Sequence, residues 1–196
     1  MDLKVISLLA LLVILSHANG TKYELTFADE DIFSTCPDAD PGALDIHGLV
    51  DISELSTSMG ADGITIGGNT TLTWDIEAGD RIELSVTLLY LDRGTWIATA
   101  FSISSKDFCK VMYDKNQYWY KYWTSHIKND VRDVCIKAPG TKMMYETYVL
   151  TLTANGLGAL REGRYKVKIN FKAFSANGVE RPTSICMNIV GDLFKV

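Results

Sequence analysis

The chain has 196 residues, 47% of them hydrophobic, and a formal net charge of −5. A domain that grips DNA or RNA carries a basic footprint to neutralise phosphates, so this acidic balance argues against nucleic acid as a partner. The length suits one domain that buries a core of its own.

The N-terminal stretch MDLKVISLLALLVILSHANG holds one lysine, an apolar run from Val5 to Leu15, and then small polar residues with Ser16 and Ala18 near a cleavage site. This is the pattern of a secretory signal peptide over residues 1–20, leaving 21–196 as a single secreted domain. No later segment reaches the roughly 20 apolar residues a membrane-spanning helix needs. The terminal GDLFKV has neither a hydrophobic tail nor a prenylation box, so no membrane anchor is expected.

Beyond the leader, Tyr23, Leu25 and Phe27 alternate with polar residues and predict an opening strand. A loop with Cys36, Pro37 and Pro41 follows. Leu44, Ile46, Leu49, Val50, Ile52 and Leu55 predict a second strand bulged near Gly48. Asn69-Thr70-Thr71 is an N-glycosylation sequon, as is Asn19-Gly20-Thr21 at the cleavage region. Leu72, Trp74 and Ile76, then Ile82, Leu84, Val86 and Leu88, then Ile97, Thr99, Phe101 and Ile103 each alternate with polar residues. Short turns at Glu77–Asp80 and Asp92–Gly94 separate them, which predicts an antiparallel meander.

The rhythm breaks over residues 105–127. Phe108, Val111, Met112, Trp119, Tyr122, Trp123 and His126 recur at helical spacings, and Ser104 with Asp107 resembles a capping box, so a short helical insertion is predicted here. Alternation resumes through Tyr148, Leu150 and Leu152, and through Tyr165, Val167, Ile169, Phe171 and Ala173. Asn177-Gly178 predicts a hairpin with positive φ at both turn residues, returning through Ile185, Met187 and Ile189. About eight antiparallel strands make an all-β sandwich or cup.

Catalytic signatures are missing: there is no GxSxG, no HExxH and no glycine-rich phosphate loop, and the secreted portion keeps only His47 and His126. Carboxylates are scattered among turns. We therefore expect no enzyme and no cofactor; a lipid hydrolase would have to rely on one of the two histidines. Cys36, Cys109, Cys135 and Cys186 lack CxxC or Cys/His spacing, so two disulfides are expected rather than a metal site, with three pairings open. Arg164, Lys166, Lys168 and Lys172 share one strand face, read either as a solvated face or, through Lys166 and Lys168, as a surface for anionic lipid or an acidic receptor.

The stretch QYWYKYW places five aromatics within Tyr118–Trp123. On a helix Trp119, Tyr122 and Trp123 share a face toward the sheet, while Tyr118 and Tyr120 turn away and mark a partner or membrane surface. Apolar faces on many strands plus this aromatic segment are what a cavity for an apolar ligand requires. Its predicted walls, chosen by alternation and helical period, are Trp74, Leu84, Val86, Phe101, Trp119, Trp123, Tyr148, Val167, Ile169 and Phe171.

KDFCKVMYDKNQYWYKYW, HIKNDVRDVCIKAPGT, REGRYKVKINF and ERPTSICMNIVGDLFKV together resemble the CheB family of insect chemosensory proteins, over most of the secreted portion. That family is distantly similar to the ganglioside-activator and ML-type lipid-recognition domains. The resemblance implies a β-cup, two antiparallel sheets splayed at one edge around a lipid chain. It also implies secretion around sensory hairs and the handling of hydrophobic pheromones such as cuticular hydrocarbons. Receptor or ion-channel accessory action is the alternative. The same resemblance implies the pairings Cys36–Cys186 and Cys109–Cys135. The activator domains carry more disulfides, so their cavity residues are not transferable position by position.

Overall fold

The computed structural model describes residues 21–131, 134–155 and 160–196; the expected signal peptide and Asn19 lie outside them. Two antiparallel sheets face each other. The larger is built from β1 (Lys22–Phe27), β6 (Arg81–Asp92), β7 (Thr95–Ser105), β9 (Leu152–Asn155), β10 (Gly163–Phe174) and β11 (Glu180–Lys195), in the order β7-β6-β10-β11-β1-β9, with the two-residue β2 (Ala43–Leu44) added in parallel to β11. In the smaller, β5 (Gly63–Leu72) is flanked by β8 (Lys142–Leu150) on one edge and by β3 (Val50–Asp51) and β4 (Leu55–Gly60) on the other. The all-β antiparallel architecture is therefore as expected, with eleven strands among the described residues rather than about eight.

Period-two alternation sets the core. Tyr165, Phe171 and Ala173 of β10, Ile185, Met187, Ile189 and Leu193 of β11, and Tyr23, Leu25 and Phe27 of β1 all point inward from the larger sheet. They meet Ile64, Ile66, Leu72, Met143, Tyr145 and Leu150 of the smaller sheet.

Several local expectations are corrected. Residues 44–55 are not one bulged strand: Asp45 caps a single helical turn, α1 (Ile46–Leu49), by accepting from the His47 N–H at 3.0 Å, and the chain then passes through β3 to β4. Trp74 and Ile76 do not continue a strand from Leu72, because β5 occupies the glycine- and threonine-rich run before them, whose weak apolar alternation hid it. Tyr148, Leu150 and Leu152 do not share a strand, since Thr151 carries the chain from one sheet to the other. At the last hairpin only Gly178 has positive φ (78°); the Ser175 N–H donates to the Val179 carbonyl at 2.9 Å, closing a three-residue loop.

Between β1 and β2 the chain runs along the edge of β11 and over its outer face. Ser34 bridges to Asn188, and a disulfide joins Cys36 to Cys186. Closing a loop of 150 residues, it contributes about 5 kcal/mol on the loop-entropy model.

The turn before β6 is fixed by Asp80, 1% exposed. Its carboxylate accepts from Arg181 at 2.8 and 2.9 Å and from the Glu77 N–H at 3.0 Å, and Lys137 donates to its carbonyl at 2.9 Å. The Arg181 guanidinium holds this carboxyl below the usual carboxylate range, against the opposing effect of burial. The stabilisation is therefore complete above about pH 4, the ordinary aspartate value, and drains away as pH falls below it. Asp80→Asn is expected to cost about 3 kcal/mol at neutral pH and to make the acid limb of the thermal-unfolding profile shallower; wild-type stability at pH 7 with an unchanged acid limb would contradict this.

Candidate functional site

The segment between β7 and β8 lies across the sandwich as a flap. It is not one helix but two short ones, α2 (Phe108–Val111) and α3 (Tyr118–Tyr122), followed by a 3-10 turn at Thr124–His126. Ser104 is not the cap: it still belongs to β7, and Asp107 precedes the helix without a side-chain capping bond. A disulfide from Cys109 to Cys135 closes the flap's base.

Phe108, 0% exposed, anchors the flap. Its ring centroid lies 5.1 Å from Phe171 of β10, 5.4 Å from Trp119 and 6.3 Å from Trp123, so one side chain joins the larger sheet to both indoles. The polar tips of Trp119, Tyr122 and Trp123 are used up within the flap or against one of the two sheets. Trp119 Nε1 donates to the Val111 carbonyl at 2.9 Å, Trp123 Nε1 to Tyr145 Oη at 3.0 Å, and Tyr148 Oη to the Tyr122 carbonyl at 3.2 Å. Tyr122 Oη bonds the Thr153 carbonyl and accepts the Thr153 N–H at 3.0 Å, tying the flap to β9. Burial pushes the phenols of Tyr145 and Tyr148 above the ordinary tyrosine range, so both stay neutral donors.

Under the flap the inner face of the larger sheet has a gap in its burial. At one end Ile82, Leu84, Phe171 and Ala173 are buried; at the other, Tyr165 is buried. Between them Val86, Leu88, Val167 and Ile169 are only half-buried, as is Tyr90 beside Tyr165. They are cross-strand neighbours, Val86 opposite Ile169, Leu88 opposite Val167 and Tyr90 opposite Tyr165, and so form one continuous apolar row in mid-sheet. Trp119, Tyr122, Trp123 and Tyr148, half-buried as well, pack against the two core clusters this row belongs to. In a closely packed sandwich the middle of a central strand is its driest part; here the mid-strand side chains of β6 and β10 are left half-buried.

The predicted wall residues divide accordingly. Val86, Val167 and Ile169 lie in the row, with Trp119, Trp123 and Tyr148 packed on the same core. Leu84, Phe171 and Trp74 are fully buried at the flap end; Trp74, in the loop after β5, donates Nε1 to Thr183 Oγ1 at 3.3 Å. Phe101, half-buried on the edge strand β7, belongs to neither core cluster. Leu88 and Tyr90 were not among the predicted walls, although the alternation from Ile82 continues through both. Phe108 carried a helical period but no sign of its central place.

Lys166 and Lys168 do not form the free basic surface envisaged for them. Lys166 is 5% exposed, with Nζ 4.7 Å above the Trp96 ring, and Lys168 pairs with Asp38 at 3.0 Å. Lys172 pairs with Asp40 and Glu180, and Arg164 with Asp192. Alternation correctly places these side chains on one face; the acidic loop folded over that face comes from a segment distant in sequence. Of the two tyrosines assigned outward, Tyr118 is 42% exposed and stacks on Tyr122 at 6.3 Å, whereas Tyr120 is half-buried.

His126 stacks on Tyr148 at 3.6 Å, with Nδ1 2.9 Å from the Glu146 carboxylate and Nε2 3.3 Å from the Lys121 carbonyl. Nδ1 thus holds the flap to β8, while Nε2 is engaged within the flap. His47 lies in α1, where its carbonyl accepts from Thr73 Oγ1 at 3.0 Å. Asn69, on β5, donates Nδ2 to Glu54 at 3.0 Å. A separate cleft of about 50 Å³ between β1 and the β4–β5 hairpin, lined by Phe27, Met59 and Ile64 among others, touches none of the predicted walls and is far below the usual size of a ligand pocket. Among the described residues no His, Cys, Asp or Glu group could hold a metal ion, and no helix is long and apolar enough to cross a membrane.

No protein-family model matches this chain, and no curated protein matches it.

Because Phe108 bridges sheet and flap, Phe108→Ala is expected to lower stability by about 3–5 kcal/mol and to free the indole fluorescence of Trp119 and Trp123 to quenching by a soluble quencher. Denaturant unfolding and quenching titrations check the two effects; a loss under about 1 kcal/mol would show that the flap is held by other contacts.

Proposed function

We propose that this protein is a secreted carrier of a hydrophobic ligand, a lipid or cuticular hydrocarbon, acting in chemosensory perception of pheromone, as its resemblance to the CheB family implies. The observation that supports this reading most is the half-buried apolar row of Val86, Leu88, Val167 and Ile169 in the middle of the inner face. Apolar surface left accessible inside a sandwich is stabilised when a ligand covers it. From Val86 to Tyr90 the row runs about 13 Å at the usual strand rise. A hydrocarbon chain laid along it gains about 0.8 kcal/mol per buried methylene, and binding needs no charged partner. Two disulfides accord with secretion.

The reading predicts that protein purified from its native tissue carries a long-chain lipid detectable by native mass spectrometry, and that the delipidated protein takes up an apolar fluorescent probe. Val167→Trp, which fills the row, is expected to cut probe affinity at least about tenfold, more than 1.4 kcal/mol, with an unchanged circular dichroism spectrum. Absence of both bound lipid and uptake would overturn the carrier reading. It would favour the alternative, an accessory of a sensory receptor or ion channel, for which the exposed Tyr118 on the flap supplies a contact.

A further inference from the structure

The chemistry of the ligand is limited by which polar groups the row offers it. Among the described residues of the two core clusters, every indole and phenol but one has a hydrogen-bond partner. Trp119 and Trp123 donate to Val111 and Tyr145, Tyr122 is held by Thr153, Tyr148 donates to Tyr122, and Tyr165 donates to the Arg161 carbonyl at 2.8 Å. Tyr90 is the exception. Its ring packs on Tyr165 at 5.1 Å, and its hydroxyl forms no hydrogen bond among the described residues. Beside it on β10 stands Gly163, whose φ of +138° suits glycine; a Cβ there would come within 3.2 Å of the Tyr90 ring and 3.6 Å of the hydroxyl. The position flanking the hydroxyl is thus kept clear of any side chain. No Asp, Glu, Lys or Arg stands among the row's five residues.

Resting on the carrier reading, we infer that the ligand is a neutral long chain bearing one oxygen function near its end, such as an alcohol, aldehyde or ester, and that Tyr90 is the residue that recognises this oxygen. The chain lies along Leu88, Val167, Val86 and Ile169 toward the buried Phe171 end, and its oxygen exchanges a hydrogen bond with Tyr90 Oη. A fatty-acid carboxylate fits poorly, because none of the row's five residues carries a positive charge and a buried unpaired charge is costly. A plain alkane would leave the Tyr90 hydroxyl covered and unpartnered, which is the situation a discriminating site penalises.

The test measures displacement of an apolar fluorescent probe by a straight-chain alkane and by the primary alcohol and aldehyde of equal length. It compares wild type with Tyr90→Phe, with Tyr165→Phe as control because that hydroxyl is already engaged. Tyr90→Phe is expected to weaken alcohol and aldehyde about three- to tenfold, the range of one net hydrogen bond, and to leave the alkane unchanged. Tyr165→Phe should leave the oxygenated-to-alkane ratio as in wild type. If Tyr90→Phe moves all three compounds equally, or none, the role of Tyr90 is refuted while the carrier reading stands. If wild type displaces the probe with none of them, the carrier reading falls and the inference with it.

Discussion

The contact of Phe108 with Phe171 on one side and with Trp119 and Trp123 on the other is the constraint on which the inner face depends. A flap made of helices of four and five residues has too few backbone hydrogen bonds to hold its own shape. It needs an external anchor, and a fully buried phenylalanine between two indoles and the central strand provides one. The Cys109–Cys135 disulfide shortens the loop that has to be ordered, contributing about 3.5 kcal/mol on the loop-entropy model, and the bonds of Tyr122 and His126 tie the far end to β9 and β8. With the anchor at the Phe171 end, the flap seals that end and leaves the middle of the sheet partly open.

The two faces of the larger sheet solve different problems. Inside, alternation brings apolar side chains together, and the buried clusters at either end give the sheets enough shared core to stay stacked. The half-buried row between them is a local cost in lost burial, of the kind tolerated where a site needs the space. Outside, the charged alternates of β10 are covered by the loop after β1, which brings Asp38 and Asp40 to Lys168 and Lys172 and is pinned by Cys36–Cys186. Pairing along this face neutralises the strand's basic residues, so the surface is less basic than the order of residues in β10 implies.

Strand assignments were legible wherever a strong period of two stood between turn signals, as in β1, β6, β10 and β11, because burial on one face imposes that period directly. β5 was missed for the complementary reason: GITIGGNTTL has glycines where apolar alternates would stand, and its inward residues are few. The helical period around QYWYKYW was legible but its continuity was not, since the spacing of apolar residues does not reveal where the chain breaks between α2 and α3. Trp74 was legible as buried and misread as strand, since burial in a loop and burial on a strand leave the same residue type behind.

By itself the sequence determined the class of fold, the inward faces of the long strands, and the aromatic segment that closes over them, since these follow from periodicity and side-chain chemistry within a few neighbouring residues. Only the tertiary structure decided which inward residues lie dry and which lie in reach of a ligand: Leu84 and Val86 are two residues apart on one face, yet one is sealed beneath the flap and the other half-open. It also decided that Lys166 lies beneath Trp96 and that Tyr90 stands beside Gly163 with its hydroxyl unengaged among the described residues. These are properties of what other segments cover, and coverage depends on contacts between residues far apart in the chain, which no local pattern encodes.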